Sequence, residues 1–565
     1  MDNSRVLLFG ALAFVLLLLW QSWMDQYMPV EVNAGQTSIE LSGQEQAQLD
    51  AIPSQQAAPV TQDGLPEVTA SSEQPVQSEV GGLTNVQQSL GRIIVKTDVL
   101  YVEIDRLGGD VKVVDLPDYP ISKNEPDLPV RLLTDEPSEL FISQTGFLSS
   151  NGDAPNHLSK WASDSLEYTL SAGEETLEVP LTWANSEGMR VTKTYLFKRS
   201  SHNIEHKMEI VNGSNSVWEG RQYQQLQRKK SDDKNKPSFV YTYLGGVIYN
   251  MEDGYEKVDF GDMEDEDLSR DRPAGWSAMI QHYFLAAWVP SAEETNHFYT
   301  KTLSDARYVI GSYSQGYEVA PGESKVFKAN LVVGPKLQHE LEEIAPGLDL
   351  SVDYGKLTFL AKPVFWLLEK YHSLIGNWGW AIIFVTLSIK LIFFKLSEAS
   401  YKSMAKMRVV QPRLKVLKER YGDDKQRLNQ EMMAMYKKEK INPLGGCFPI
   451  LIQIPVFISL YWVLVESVEM RQAPFMLWIN DLSAADPYFI LPVLMGITML
   501  IQQRLNPTPL DPIQQKMMMA LPVVFAVFFA FFPAGLVLYW VVNNSLSITQ
   551  QWVITRRIEA ASKAQ

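Results

Sequence analysis

Two kinds of short motif, one built on histidine and one on serine, suggest hydrolytic chemistry. HNIEH, residues 202–206, matches the H-x-x-E-H pattern, in which a helix brings two histidines and a glutamate toward one zinc ion. Apolar and polar residues alternate around this motif, which is typical of a strand. On a strand, His206 shares a face with Ile204 and Met208, while Glu205 points to the other face. We therefore predict no metal site here.

The Ser-x-x-Lys pattern of some acyl-transfer nucleophiles occurs twice, as SDDK (231–234) and SMAK (403–406). Such a pair needs apolar surroundings that lower the pKa of the lysine. The first lies in a charged run and the second on a polar, lysine-rich helix. The chain has one cysteine, Cys447, and no CxxC or glycine-rich phosphate loop. We predict no catalytic residue, no cofactor and no metal ion, and hence no enzyme.

A lysine lies inside the apolar run VTLSIKLIFFK, residues 385–395. A charge at the centre of a bilayer costs roughly 2.5–3.5 kcal/mol. Lys390 could face a wet space between helices, or it could extend to the headgroups beside Lys395; the residues alone leave both open. Thr386 lies one turn before it, and Ser388 is close. Other apolar segments carry Gln453, Gln502, Gln503, Asn543, Asn544 and Ser547, and such residues normally face a bundle interior or a cavity.

The elements that must position these residues are apolar helices. The first apolar run is residues 6–20, and a cleavable signal peptide is its ordinary interpretation. Trp20, Trp23 and Tyr27 follow where small residues would be expected, which favours an uncleaved transmembrane anchor over 1–24. Five further candidate spans lie at roughly 375–396, 447–466, 486–502, 517–533 and 535–555. The predicted fold is a six-span α-helical membrane protein, with the second span at 375–396 and spans three to six within 447–557.

Charge predicts which side each segment occupies. Residues 25–355 hold 52 acidic and 26 basic residues, whereas the connection 397–446 holds 12 basic and 6 acidic ones. Basic connections stay in the cytoplasm. We therefore expect 397–446 and the tail 558–565 to be cytoplasmic, both termini to be inside, and the large acidic region to be outside.

The outer region begins with a tether and continues as strands. Residues 25–91 contain no lysine or arginine, and their composition predicts a disordered acidic tether. Residues 92–345 read as an all-β sandwich, with alternating runs such as LYVEID (100–105) and IEHKMEIV (204–211). The segment 346–374 contains KLTFLAKPVFWLLEKYH, whose apolar period predicts an interfacial amphipathic helix.

The connection 397–446 has the pattern of a basic helical hairpin. Met404, Met407, Val410, Leu414 and Leu417 recur at helical spacing, YGDD supplies a turn, and Leu428, Met432 and Met435 repeat the pattern. The apolar seam predicts that the two helices pack on each other. The outer face carries Lys415, Lys418, Arg420 and Lys425, which would suit ribosomal RNA or anionic headgroups, or would simply be solvated.

Three stretches carry a resemblance to a known family: residues 403–457, from SMAKMRVVQ to LIQIPVF; residues 467–496, from SVEMRQ to ILPVLMG; and FFPAGLVLYW. They resemble the YidC/Oxa family of membrane protein insertases over roughly 356–557, and the chain's layout is similar to the Gram-negative YidC form with a large periplasmic domain. The resemblance implies a five-span insertase core, an outer β-super-sandwich, and a hydrophilic inner-leaflet groove. Lys390 stands where the family usually has the groove arginine, and Tyr539 and Trp540 match its aromatic substrate-contact positions.

The resemblance also implies partners. These are nascent membrane proteins, the SecYEG translocon and SecDF, the ribosome or targeting machinery at the hairpin, and the phospholipid bilayer of the bacterial inner membrane, with no DNA. The main alternative from another class is a secondary transporter whose path Lys390 marks. That function predicts internal repeats, and 375–466 shows none with 486–555. A membrane-embedded protease is a second alternative, but the apolar segments offer no catalytic constellation.

Overall fold

The computed structural model describes residues 91–151, 153–230, 242–422, 424–439, 448–506 and 512–563. The anchor, nearly all of the tether, the SDDK motif and Cys447 lie outside the described residues. The chain divides into two compact units, with the boundary between Val352 and Asp353.

The first unit is built from strands. They are β1 (Arg92–Lys96), β2 (Tyr101–Asp105), β3 (Asp110–Ser122), β4 (Glu125–Leu133), β5 (Phe141–Ser149), β6 (Glu167–Thr169), β7 (Thr176–Ala184), β8 (Met189–Lys198), β9 (Asn203–Asn212), β10 (Trp218–Lys229), β11 (Gly245–Asn250), β12 (Gly254–Val258), β13 (Ser269–Pro273), β14 (Trp276–Ile280), β15 (Phe284–Pro290), β16 (Thr295–Leu303), β17 (Arg307–Ser314), β18 (Tyr317–Val319) and β19 (Ser324–Pro335). Two short helices join them, α1 (Phe260–Asp265) and α2 (Gln338–Ile344).

These strands form two sheets. The 11-stranded sheet has the order β13-β16-β17-β10-β5-β3-β2-β1-β6, with β18 beside β10 and β4 beside β3; the 8-stranded sheet has the order β12-β11-β14-β15-β19-β9-β8-β7. Residues alternate between buried and open along β8 and β9. Because alternation places one face of each strand inward, the inner faces share one large apolar core. The predicted all-β sandwich is confirmed.

Four of the five HNIEH residues lie on β9, as the alternation predicts, and His202 immediately precedes the strand. His206 is 1% exposed, and its ring packs 5.1 Å from the ring of Tyr195 and 5.3 Å from that of Trp288. Glu205 faces the other side and pairs with Lys198. Burial, together with the nearby charge of Lys193, lowers the pKa of His206 well below its ordinary value, so the imidazole is neutral. Among the described residues no group of three ligating side chains could hold a metal ion.

A lysine is enclosed in the core between the sheets. Lys193 is 0% exposed, and its Nζ donates to the carbonyl oxygens of Gly108 at 2.8 Å and Thr145 at 2.9 Å. It also lies 4.7 Å from the centre of the Trp161 ring. The left-handed φ of Gly108, +85°, lets the turn direct its carbonyl inward. Burial lowers the pKa of Lys193 to about 8.

The second unit is helical. Its helices are α3 (Thr358–Ile375), α4 (Trp378–Ile392), α5 (Phe394–Tyr421), α6 (Lys425–Lys438), α7 (Phe448–Glu466), α8 (Ile490–Leu505), α9 (Pro512–Phe529) and α10 (Ala534–Lys563). Within the described ranges, no one helix combines the length and the apolarity needed to cross a bilayer, but α4 and α5 do so as a pair bent by 68°. Three shorter apolar stretches lie at Ile452–Glu466, Ile490–Leu505 and Gln515–Phe529.

Helix boundaries differ from the expected second span, 375–396. Helix α3 ends at Ile375 and is followed by Gly376, which adopts a left-handed φ of +71°. Asn377 caps α4 by accepting a bond from the amide of Trp380 at 3.1 Å. A second break follows at Phe393. The apolar run therefore forms a 15-residue helix and a bend.

Helices α5 and α6 pack on each other as the hairpin pattern predicts. Val410, Leu414 and Met432 are buried in the seam, and Met407, Leu428 and Met435 pack against them. The Asp424 carboxylate caps α6 by accepting from the amide of Arg427 at 3.0 Å. Lys415 and Arg420 are exposed, Lys418 is half-buried, and Lys425 is the first residue of α6.

The segment between α7 and α8, residues 467–489, connects several helix ends; we call it the 467–489 loop. Its carbonyls at Leu482 and Ala484 accept bonds from the first two amides of α10, at 2.9 and 2.7 Å. The Asn377 side chain donates to the carbonyl of Phe475 at 2.9 Å. The Asp486 carboxylate accepts from the amide of Leu491, in the first turn of α8, at 2.7 Å. The first turns of α4, α8 and α10 are therefore held by one segment.

Candidate functional site

A cavity of about 470 Å³ lies between α5, α7, α8, α9 and α10. Its wall is a mixture of apolar side chains with amides and hydroxyls. Six of the polar residues that the apolar segments carry line it: Gln453, Gln502, Gln503, Asn543, Asn544 and Ser547. No lysine, arginine, aspartate or glutamate is among the described lining residues. The cavity therefore offers neutral hydrogen-bonding groups within an apolar bundle.

Helical spacing explains how α10 contributes to this wall. Tyr539, Asn543 and Ser547 are four residues apart, and residues at that spacing share one helix face. Phe457 of α7 stacks on Tyr539, with 5.9 Å between ring centres, and lies 4.9 Å from the ring of Trp540. The indole nitrogen of Trp540 is buried and has no hydrogen-bond partner among the described residues. The aromatic end of the wall therefore retains one unused donor.

Lys390 stands directly behind the wall. It is 7% exposed, and its Nζ donates to Ser547 Oγ at 2.8 Å. It is not itself a lining residue, and it forms no ion pair within the described part of the chain. Lys395 differs, because its side chain is 91% exposed and lies 3.6 Å from Glu398. The two lysines therefore do not extend to the same surface.

Two expected groove residues point elsewhere. The hydroxyl of Thr386 donates to the carbonyl of Ile382 at 2.7 Å, on its own helix, and Ser388 is 2.7 Å from the hydroxyl of Tyr371 on α3. Neither residue lines the cavity. The structure thus brings Gln453, Tyr539 and Trp540 together, joins Lys390 to them through Ser547, and leaves Thr386 and Ser388 outside.

The start of α5 is a part of the site that the sequence did not reveal. Ser397, Ser400, Tyr401 and Met404 line the cavity, although the whole segment 397–446 reads as a cytoplasmic hairpin. These residues recur at three- and four-residue intervals, which places them on one face. This periodicity is the sequence signal for a cavity-lining face, but the many lysines nearby favour a solvent-exposed cytoplasmic helix instead.

A chain of serine, histidine and aspartate occurs in the β unit. His297 lies 2.9 Å from Ser269 Oγ and 2.8 Å from Asp271 Oδ1, on the neighbouring strands β13 and β16. In hydrolase triads the acid is buried and stabilises the imidazolium. The Asp271 side chain is 75% exposed, so water solvates the carboxylate. We interpret this as a surface hydrogen-bond chain.

Comparison with known proteins matches both units. Residues 92–367 match the family model of the YidC periplasmic domain, and residues 370–562 match that of the 60Kd inner membrane protein. A membrane protein insertase YidC of Methylococcus capsulatus is 54% identical over 560 residues, covering 99% of each chain. One of Thioalkalivibrio sulfidiphilus is 52% identical over 578 residues, covering all of both chains. A crystal structure of an active YidC insertase covers 82% of this chain and 92% of its own, with 17% identity and a TM-score of 0.36.

Proposed function

Because the chain belongs to the YidC family of membrane protein insertases, we propose that it inserts proteins into the inner membrane through the cavity beside Lys390. Members of this family are inner-membrane proteins with a periplasmic domain, and they are insertases rather than enzymes. The proposal therefore concerns which residues receive a substrate and how they lower the cost of its transfer.

The observation that carries the proposal is the cavity itself. Moving an unpaired amide or hydroxyl from water into an apolar medium costs roughly 2–7 kcal/mol. Side chains such as Gln453 and Asn543 line the cavity and can replace the hydrogen bonds that a polar segment loses. Lys390 adds a positive charge with no carboxylate partner among the described residues. A weakly hydrophobic or acidic segment would therefore find both hydrogen bonds and a favourable field.

The arrangement in the membrane is part of the proposal. Six spans would place both termini in the cytoplasm, the segment 92–345 in the periplasm, and the hairpin in the cytoplasm. Nascent membrane proteins are then the substrates and the bilayer is the surroundings. The exposed cations Lys415 and Arg420 support a meeting with the ribosome or the targeting machinery. Work beside SecYEG and SecDF belongs to the same proposal and rests on the family alone.

Helix α3 supports an interfacial position for the segment 346–374. Its buried side includes Val364 and Leu368, whereas Phe359 is 75% and Trp366 is 57% exposed. Large apolar side chains opposite the packed face suit the boundary between headgroups and acyl chains. We propose that α3 lies along that boundary and leads the chain into α4.

Photocrosslinking to stalled nascent chains tests the cavity as the substrate path. A photoreactive residue at 453 or 543 should crosslink a chain that is being inserted, because both positions line the cavity. The matched control is position 545, on the same helix as Asn543 but exposed away from the cavity. Crosslinking from 545 as strong as from 543, or inserted substrate that never crosslinks to either cavity position, would contradict the proposal.

A further inference from the structure

Ser547 of α10 forms two hydrogen bonds, one within its own helix and one to α4. Its Oγ accepts from Nζ of Lys390 on α4 at 2.8 Å, and it donates to the carbonyl of Asn543 one turn earlier at 2.7 Å. A serine hydroxyl has one donor and two acceptor positions. The bond to Asn543 uses the donor, so the lone pairs of the oxygen are left to face Lys390.

Burial makes Ser547 a poor contact for a passing chain. It is 3% exposed, and its hydroxyl proton is already committed to the carbonyl of Asn543. An ammonium has three donors, and Ser547 is the one hydrogen-bond partner of Lys390 among the described residues. The function of Ser547 is therefore to be sought in its effect on Lys390.

We infer that Ser547 is a positioning residue, which holds the Lys390 ammonium against the cavity wall. The inference rests on the role proposed for Lys390 in substrate transfer. Lys390 does not line the cavity, whereas Ser547 does, so the bond between them sets how far the ammonium lies from the cavity.

The reactivity of the Lys390 amine tests this inference without any insertion assay. The full chain in detergent is acylated with trace acetic anhydride, and mass spectrometry gives the rate at Lys390. Ser547→Ala removes a hydrogen bond to a charged donor, and the freed amine then turns to water or loses its proton. Both changes favour acylation, and we expect its rate to rise about tenfold. Ser547→Thr keeps the hydroxyl and should keep the original rate.

The matched control is Ser545→Ala. Ser545 is exposed and makes the same kind of bond along its helix, to the carbonyl of Val541 at 2.7 Å, so its loss should leave Lys390 unchanged. An unchanged rate in Ser547→Ala overturns the inference, as does an equal rise in Ser545→Ala or Ser547→Thr. Should Ser547→Ala not fold, Ser547→Cys has nearly the same size and a weak acceptor, and the same rise is expected. A chain that fails to insert proteins would leave these rates unaffected.

Discussion

Replacing Lys193 by methionine should change how the stability of the β unit depends on pH. The lysine is wholly enclosed, and its ammonium is held by carbonyl oxygens, including those of Gly108 and Thr145, with no ion pair among the described residues. Methionine is of similar length, carries no charge and leaves these carbonyls without their donor. At neutral pH the substitution therefore stabilises the fold by removing a buried charge and destabilises it by leaving the carbonyls unpaired. Only the effect of the charge depends on pH, so the pH dependence separates the two.

The sign and size follow from the pKa of Lys193, which is about 8 in the folded chain against an ordinary 10.5. Because the folded value is lower, the folded state releases the proton first, so the free energy of unfolding rises with pH from about 8 upward. Below pH 8 both states are charged and the full cost of burial remains. Each pH unit contributes about 1.4 kcal/mol, which gives about 2 kcal/mol between pH 8 and 9.5.

Urea unfolding of the full chain in detergent, followed by pulse proteolysis of the β unit, measures this effect. The pH series ends at 9.5 because unfolded tyrosines begin to ionise above that pH. Burial raises the pKa of Tyr195 and Tyr223 well above 10 in the folded chain, so at higher pH these two tyrosines would add a pH dependence of their own. Lys328→Met, at an exposed lysine of β19, is the control and should retain the original pH dependence. If Lys193→Met shows the same rise from pH 8 to 9.5 as the unaltered chain, the reasoning is wrong.

Further outcomes concern insertion and the hairpin. In proteoliposomes, Lys390→Arg should retain insertion of acidic-tailed substrates, and Lys390→Glu should lower it about tenfold or more, since repulsion replaces attraction; equal insertion would contradict the field argument. Cells depleted of their own insertase should still be rescued by a chain that lacks most of residues 92–330, but not by one that lacks 340–375. If a stably expressed chain without 92–330 fails to rescue these cells, the expectation is wrong. Replacing the four hairpin cations by glutamine should weaken ribosome cosedimentation and flatten its salt dependence, and an unchanged slope would assign them to topology alone. Leu414→Ala should destabilise the hairpin seam by about 2–4 kcal/mol, detectable as faster proteolysis, while Val416→Ala at an exposed position should not.

Periodicity identified the buried faces of the chain but not their partners. Alternation along β8 and β9 was enough to place His206 on the buried face of its strand and Glu205 on the opposite face, because a strand admits only two faces. The spacing of Val410 and Leu414 likewise predicted the hairpin seam. Sheet order could not be read in this way, since β9 pairs with β19, which follows it by more than a hundred residues.

The cavity shows the same division between local and distant information. Polar residues in apolar segments predicted that Gln453 and Asn543 would face a common space, because unpaired amides are costly in an apolar medium. The partner of Lys390 is 157 residues away, at Ser547, and nothing near the lysine indicates it. The bend at Phe393, which brings the start of α5 to the wall, also had no local signal, since neither proline nor glycine marks it.

The 467–489 loop has a mechanical consequence for the helices that it joins. It fastens the first turns of α4 and α10, and both Lys390 and Ser547 come 13 residues after their fastened ends at Asn377 and Ala534. At 1.5 Å per residue, about 20 Å of helix separates each fastened end from Lys390 or Ser547. If a helix that is held at one end tilts by about 5°, a point about 20 Å along it shifts by about 2 Å. A shift of that size would exceed the reach of the 2.8 Å bond between Lys390 and Ser547, whereas the contacts at the fastened ends would be preserved, so any tilt of these helices would widen the bundle at the lysine rather than at the loop.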